Sequence, residues 1–303
     1  MTAFRCKLQY KNYEPGEFTD MTPHTCEAVF ELIRNFPWQQ QREQLVVDFT
    51  TPSVTIQDDD GSYLKLALYY NGKYILYYYN AVHQLFVKSL TNPEDSFPFI
   101  SAYYNNPGVP PDGLKREHTW HKAKRIHFVT NDFVYKAGKN RLRHYLIQSS
   151  GFNLVLSLML VPLMIYIHPA GNATWMQLII FLVLFFLVVG MNLLFIWNHY
   201  QTDKGKTLIL SKGKPHFLFG TGNQLTLYKK QEIMSIDIWH IRRNSKSPLT
   251  DFACFTIYLA DQTRLQFTSL LISEADFRAK MAGQHIIDVY ILPWMSKADR
   301  TAL

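Results

Sequence analysis

Two apolar runs separated by seven residues constrain this chain more than any other feature, because residues 151–197 contain no Asp, Glu, Lys or Arg. The runs are residues 151–167 (GFNLVLSLMLVPLMIYI, 17 residues) and 175–197 (WMQLIIFLVLFFLVVGMNLLFIW, 23 residues). A helix needs roughly 20 apolar residues to cross a hydrocarbon core about 30 Å thick. Both runs meet that requirement if the first borrows an interfacial neighbour such as His168. Helices buried in a soluble core normally keep a polar stripe, and neither run has one. The linker 168–174 (HPAGNAT) is short and uncharged. The expectation is therefore a transmembrane helical hairpin with an extracytoplasmic turn.

Flanking charge orients such a hairpin. Lys136, Lys139, Arg141 and Arg143 precede the first run, and Lys204, Lys206, Lys212 and Lys214 follow the second. The positive-inside bias places these loops in the cytoplasm. The expected location is the bacterial inner membrane with both termini cytoplasmic. The start of the chain (MTAFRCKLQY) lacks a basic segment leading into an apolar core, so the first run is expected to act as the insertion signal.

The net charge of +7 is unevenly spread. Residues 1–110 carry 8 Lys+Arg against 12 Asp+Glu, residues 111–150 carry 9 against 3, and residues 201–303 carry 14 against 9. The expected organisation is an acidic α+β module (1–110), a basic juxtamembrane segment (111–150), the hairpin, and a β module (204–303). The basic excess sits beside the apolar runs, which points to anionic lipid headgroups and away from nucleic acid. The eight named Lys and Arg residues form a candidate membrane-surface collar. Cys6, Cys26 and Cys254 are too scattered for a disulfide framework or a zinc site.

In chain order, Thr22-Pro23 resembles an N-cap followed by Pro at the first helical position, and Val29, Ile33 and Phe36 follow at helical spacing. From residue 44 to 88 the period becomes two, with LVVDF, SVTIQ, YLKLALYY, KYILYYY and VHQLFVK cut by Asp60-Gly61 and Asn71-Gly72. That pattern predicts an antiparallel meander. Its tyrosines (Tyr69, Tyr70, Tyr74, Tyr77, Tyr78, Tyr79) read as half-buried strand residues with wet hydroxyls, although an aromatic binding face is the alternative. PEDSFPFISAYY (93–104) predicts a short helix. NNPGVPPDG (105–113) marks a boundary, and residues 114–150 do not decide between helix and strand. After the second run, TLIL, HFLFG, QLTLY, IMSIDIWHI, FACFTIYL and RLQFTSLL predict six strands. Ser273 with Asp276 then predicts an N-capping box on a helix that Gly283 stops.

The run IMSIDIWHIRR, a polar loop, and FACFTIYLADQTRLQFTSLLISEADF resemble bacterial pleckstrin-homology-like domains over about residues 207–283. The resemblance implies a barrel or sandwich of strands closed by a C-terminal helix, and a binding module at a membrane face. Eukaryotic relatives read phosphoinositides through a basic first hairpin, for which Lys212, Lys214, Lys229 and Lys230 stand in this sequence. Residues 25–104 are similar, through FPWQQQ, PSVTI, DGSYLKL and FPFISAYY, to small immunity domains that neutralise bacterial toxins. The fold class expected is thus an α+β membrane protein, with a two-helix hairpin between an N-terminal α+β module and a C-terminal pleckstrin-homology-like module.

No constellation nominates a catalyst. Asp58, Asp59, Asp60 and Gly61 suggest a calcium loop, but Ile56 and Ala67 stand where its terminal carboxylates belong, so a turn is expected. His118, His121, His127 and His144 lie among Lys and Arg residues that disfavour a cation. Gly205-Lys206-Thr207 copies the end of a phosphate-binding loop without its first glycine or its strand. The expectation is a non-catalytic tethered scaffold or regulator without cofactor or metal. One alternative is an immunity protein using Glu27, Glu31 and Asp48 as the partner face for a basic toxin. The other is a membrane-bound transcription regulator, for which no recognition helix is visible. An oligomer through the hairpin is compatible with either.

Overall fold

A computed structural model describes residues 2–11, 13–42, 51–117, 131–147, 172–222, 224–241 and 249–296, except for some side chains within them, chiefly along 172–189. The chain divides into two compact units, Met1–Asp132 with Ser211–Lys214, and Phe133–Leu210 with Pro215–Leu303.

The first unit is built on a seven-stranded antiparallel sheet. Its strands are β1 (Phe4–Gln9), β2 (Thr19–His24), β3 (Ser53–Gln57), β4 (Tyr63–Leu68), β5 (Tyr74–Tyr79), β6 (Leu85–Leu90) and β7 (Lys115–Glu117), in the order β2-β1-β3-β4-β5-β6-β7. Asn71 and Gly72 take φ of 50° and 77° at the β4–β5 turn, the positive angles the dipeptide was expected to supply. Alternation sends Cys6, Ile56, Leu64, Leu66, Leu76 and Tyr78 into a core beneath two helices. These are α1 (Cys26–Asn35), contributing Val29 and Ile33, and α3 (Phe97–Asn105), contributing Ile100 and Tyr103. A four-residue helix α2 (Trp38–Gln41) follows Pro37. The start of α1 differs from expectation: Thr22-Pro23 belongs to β2, where Arg5 pairs with Pro23, and the helix is capped instead by Thr25, which accepts from Ala28 N–H at 3.4 Å.

The sheet's other face is also covered, which a meander with one core face did not anticipate. Tyr63, Ala67, Ile75, Tyr77, Tyr79 and Leu85 form a second cluster there. Lys7 and Lys65 are buried on it, each within 6 Å of the Phe18 ring centroid. Of the tyrosine run, only Tyr69 and Tyr70 keep more than slight exposure, so the run is core.

The second unit contains two four-stranded sheets. One has the order β11-β10-β9-β8 and the other β14-β13-β12-β15. The strands are β8 (Val134–Lys136), β9 (Lys206–Ile209), β10 (His216–Thr221), β11 (Gln224–Lys229), β12 (Ile233–His240), β13 (Ala253–Leu259), β14 (Arg264–Thr268) and β15 (Ile286–Tyr290). Leu208, Phe217 and Phe219 from one sheet meet Ile236, Ile238, Phe255, Ile257 and Phe267 from the other. A helix α6 (Glu274–Lys280) seats Phe277 in that core, 4.6 Å from Phe255 and 5.4 Å from Phe267 between ring centroids. Ser273 caps it, accepting from Asp276 N–H at 3.1 Å and donating to the Asp276 carboxylate at 2.6 Å. The six expected strands and the closing helix are all present, joined by β8 and by β15, which runs parallel to β12.

Two further helices belong to this unit, α4 (Lys139–Leu146) and α5 (Asn172–Asp203, 32 residues). They correct the membrane expectation. The first apolar run and the turn, 151–171, lie outside the described residues. The second run is part of a helix that continues past Trp197 through six residues of the β module: Asn198, His199, Thr202 and Asp203 are buried, and Phe195 and Ile196 pack on Leu249 and Phe252. Among the described residues no helix is long and apolar enough to cross a membrane. Sheet predominates over helix among the described residues, and neither the two-pass hairpin nor the inner-membrane placement with both termini cytoplasmic stands. On α5, Met176, Ile179, Ile180, Val183, Leu193, Leu194 and Trp197 are exposed.

Among the described residues of 114–150, β7 completes the first sheet and β8 and α4 lie in the second unit.

Candidate functional site

Of the eight residues expected to form the basic collar, the structure gathers four at a surface of the second unit. Lys136 ends β8, Lys139 opens α4, Arg143 lies one turn further along α4, and Lys204 follows the last residue of α5; all four are exposed. Positions i and i+4 share a helix face, which brings Lys139 and Arg143 together. Lys136 pairs with Thr207 in the β8–β9 ladder, so the register carries Lys204 and Lys139 to the same end of it. Beneath them Leu142 and Leu146 of α4 pack against the cluster of Phe195, Ile196, Leu249 and Phe252. Among the described residues none of the four cations has an ion-pair partner. Arg141 lies on α4 with its side chain outside the description.

The other three collar residues make contacts within the protein. Lys206 is 5% exposed and its Nζ donates to the Gln266 carbonyl at 2.8 Å. Ser211–Lys214 is part of the first unit. There Gly213 lies so close that a Cβ would meet the Phe18 carbonyl oxygen at 2.3 Å, Lys212 N–H donates to the Glu17 carboxylate, and Lys214 pairs with Asp132 at 3.2 Å. The lysines that the pleckstrin-homology resemblance would use are engaged too. Lys229 pairs with Glu232 at 3.3 Å, and Lys230 donates to the Lys280 carbonyl at 3.3 Å. A basic first hairpin free to read a headgroup is not assembled.

Behind the exposed cations lies a buried polar joint that no local pattern announces. Asp203 is fully buried and accepts from Thr268 N–H at 3.1 Å and from the Thr268 hydroxyl at 2.6 Å. Burial pushes its acid up to about 7, against the lowering effect of Thr268 and of the Lys206 charge. Burial pulls the Lys206 ammonium below its ordinary range, and Asp203 only partly restores it. One turn earlier, His199 Nε2 lies 3.0 Å from the Pro293 carbonyl and 3.6 Å from Cys254 Sγ, and burial lowers its imidazole to about 4. The Asn198 amide donates to Met295 O at 2.9 Å and accepts from Met295 N–H at 3.1 Å, fastening the segment after β15 to α5. These groups hold a helix in place. His199 and Cys254 are buried beyond reach of any substrate, so their proximity does not make a nucleophile and base.

The remaining candidates resolve individually. Asp58–Gly61 is a turn: Gly61 N–H donates to the Asp58 carbonyl at 3.1 Å, and Ser62 N–H to the Asp60 carboxylate at 2.7 Å. His118, His121 and His127 lie outside the described residues, as do Asp48 and the side chain of His144. Glu27 is exposed on α1, whereas Glu31 is tied to Arg34. Among the described residues no group of three His, Cys, Asp or Glu side chains is placed to hold a metal ion. Sequence reasoning missed one surface network. Arg278 of α6 bridges Glu274 (2.7 Å) and Asp288 of β15, and His240 at the end of β12 reaches Asp288 at 3.1 Å. Burial pushes the Asp288 acid up, but Arg278 and His240 outweigh it and hold it below its ordinary range.

A family model described as a PH domain matches residues 134–280, from the first residue of β8 to the last of α6, leaving β15 outside. The C-terminal module is PH-like. No curated protein and no solved structure matches the chain. The comparisons lend no support to the immunity-domain likeness of residues 25–104 or to a two-pass membrane family.

Proposed function

We propose that this chain is a non-catalytic binding protein whose PH-like module binds the anionic headgroups of a lipid surface through Lys136, Lys139, Arg143 and Lys204. A fold shared by many functions does not name a ligand. The reading is carried by the contrast among the lysines: those on the hairpins are neutralised or hydrogen-bonded within the protein, while these four are exposed with no ion-pair partner among the described residues. Exposed Leu193, Leu194 and Trp197, on the stretch of α5 that α4 packs beside, add apolar contact to such a surface. The test is sedimentation of the full chain with phosphatidylcholine vesicles doped with increasing phosphatidylglycerol. Binding should rise with anionic fraction and fall with salt, since each basic residue near the surface contributes about 1 kcal/mol and is screened over about 8 Å at physiological ionic strength. Equal binding to undoped vesicles, or none to doped ones, would remove the proposal.

A further inference from the structure

The joint between α5 and the PH-like sheet places a carboxyl group where ordinary electrostatics resists a negative charge. Asp203 is the last residue of α5, and the unpaired carbonyls of a helix C-terminus already concentrate partial negative charge there. It is also fully removed from water, which penalises the ionised form again. Against this stand a small number of stabilising groups. Thr268, ending β14, supplies its N–H and hydroxyl and is itself braced by Leu270 N–H at 3.3 Å. Lys206 lies three residues on, across the Gly205 turn (φ +79°), but its ammonium is committed to the Gln266 carbonyl and acts on Asp203 through charge alone.

The other groups around the carboxyl are known from each packed element. From β9 only Lys206 is charged. The end of β14 and the turn after it present Gln266, Thr268, Ser269 and Leu271, all neutral, the Leu271 N–H being one more donor that lowers the acid, and β13 presents Cys254, which pairs with Thr268. On α5 itself His199 faces Pro293 and Cys254 and is neutral at ordinary pH.

We propose that Asp203 is a proton-operated latch on α5: with the carboxyl protonated the helix end is held against β14, and with it ionised the helix end opens locally about Gly205. Burial puts the carboxyl at about 7 in the closed form, above its ordinary 3.8. The sign follows from linkage. Closure gains most when the proton is bound, so the extra stability is complete below the unfolded value and is lost as pH rises through about 7. The latch stands independently of the headgroup reading. Although Lys204 is its neighbour, the test needs no lipid.

That test is amide hydrogen exchange on the full chain carrying His199→Gln, between about pH 4.5 and about pH 8.5 and corrected for intrinsic rates, the substitution removing the buried group that titrates with the opposite sign below 6.5. The reporting amides are Lys204, which donates to Tyr200, and Thr268, which donates to Asp203; Ile257, in the β12–β13 ladder, is the reference. Protection at the two reporters relative to Ile257 should fall by up to about tenfold per pH unit, the limit for one proton, as pH rises toward about 7, and should level off above it, where the carboxyl is ionised in open and closed forms alike. Asp203→Asn should abolish the slope. Lys206→Met should move the levelling point to higher pH, because the carboxylate loses the one cation placed beside it among the described residues, and this variant decides the matter if Asp203→Asn does not fold. Protection independent of pH below neutrality in the His199→Gln chain, a slope retained on adding Asp203→Asn, or an unmoved levelling point on adding Lys206→Met would overturn the latch.

Discussion

Neutralising two sets of basic residues separates a surface role from a structural one. In the first set, Lys136, Lys139 and Lys204 become Gln and Arg143 becomes Gln, removing four exposed charges without known internal partners among the described residues. At about 1 kcal/mol each near an anionic leaflet, the set is worth about 4 kcal/mol, which is roughly a thousandfold in vesicle partitioning. In the second set, Lys212→Gln and Lys214→Gln remove charges that sit over Tyr13 and against Asp132. Partitioning should then change by less than about threefold, because exposed or internally neutralised pairs contribute well under 1 kcal/mol. The assay is fluorescence titration of the full chain with phosphatidylcholine vesicles containing phosphatidylglycerol. It is repeated as ionic strength rises from about 0.1 M to about 1 M, where the screening length shrinks from about 10 Å to about 3 Å. Single changes in the first set should each weaken binding only severalfold. If the quadruple variant binds like the native chain, or if the hairpin pair weakens binding as much, the division drawn from burial and pairing is wrong.

Two further outcomes follow from burial. Phe277→Ala should cost about 3–5 kcal/mol in denaturant unfolding of the PH-like unit, because the ring is fully buried against Phe255 and Phe267; a cost under about 1 kcal/mol would show that α6 does not close the core. His199, held near 4 against an ordinary 6.5, favours the fold only while neutral, so its contribution is present above 6.5 and is lost as pH falls toward about 4, by roughly 3 kcal/mol in all. Native protein minus His199→Gln should show that loss at each pH, the difference being needed because Asp203 titrates with the opposite sign in the same range; a flat difference would mean that His199 is not buried as described.

How much of this was legible in the sequence depended on whether a local pattern reported a local cause. Strands β3 to β6 and β9 to β14 were readable because alternation reflects one face meeting a core, and Phe217 and Phe219 or Ile236 and Ile238 carry that alternation themselves. Asn71-Gly72 and Ser273 with Asp276 were readable because turn and cap chemistry is settled within four residues. Thr22-Pro23 misled because a long-range demand, pairing of Pro23 with Arg5, outweighed a local helix signal. β15 was not readable for a related reason, since it pairs parallel with a strand some fifty residues earlier after the closing helix, and no nearby turn announces it.

The apolar runs and the lysines failed in a complementary way. An uncharged run shows that a segment avoids water without showing what replaces the water, and the polar residues after Trp197 fell between the expected hairpin and the expected β module. Instead Asn198, His199, Thr202 and Asp203 are buried, each held by a partner distant in sequence or, for Thr202, by the carbonyl one turn back. Lys206 was assigned to a surface by composition, yet it is buried, as Lys7 and Lys65 are. A four-carbon stem can follow apolar surface to a single carbonyl or amide, as Lys65 reaches Gln9 at 2.9 Å, so burial of a lysine depends on one acceptor elsewhere in the chain. Counting charge therefore overstated the collar. The four cations that survive are those for which the fold supplies no acceptor among the described residues, and that selection, made by tertiary structure, is what turns a diffuse basic excess into a surface that can be tested residue by residue.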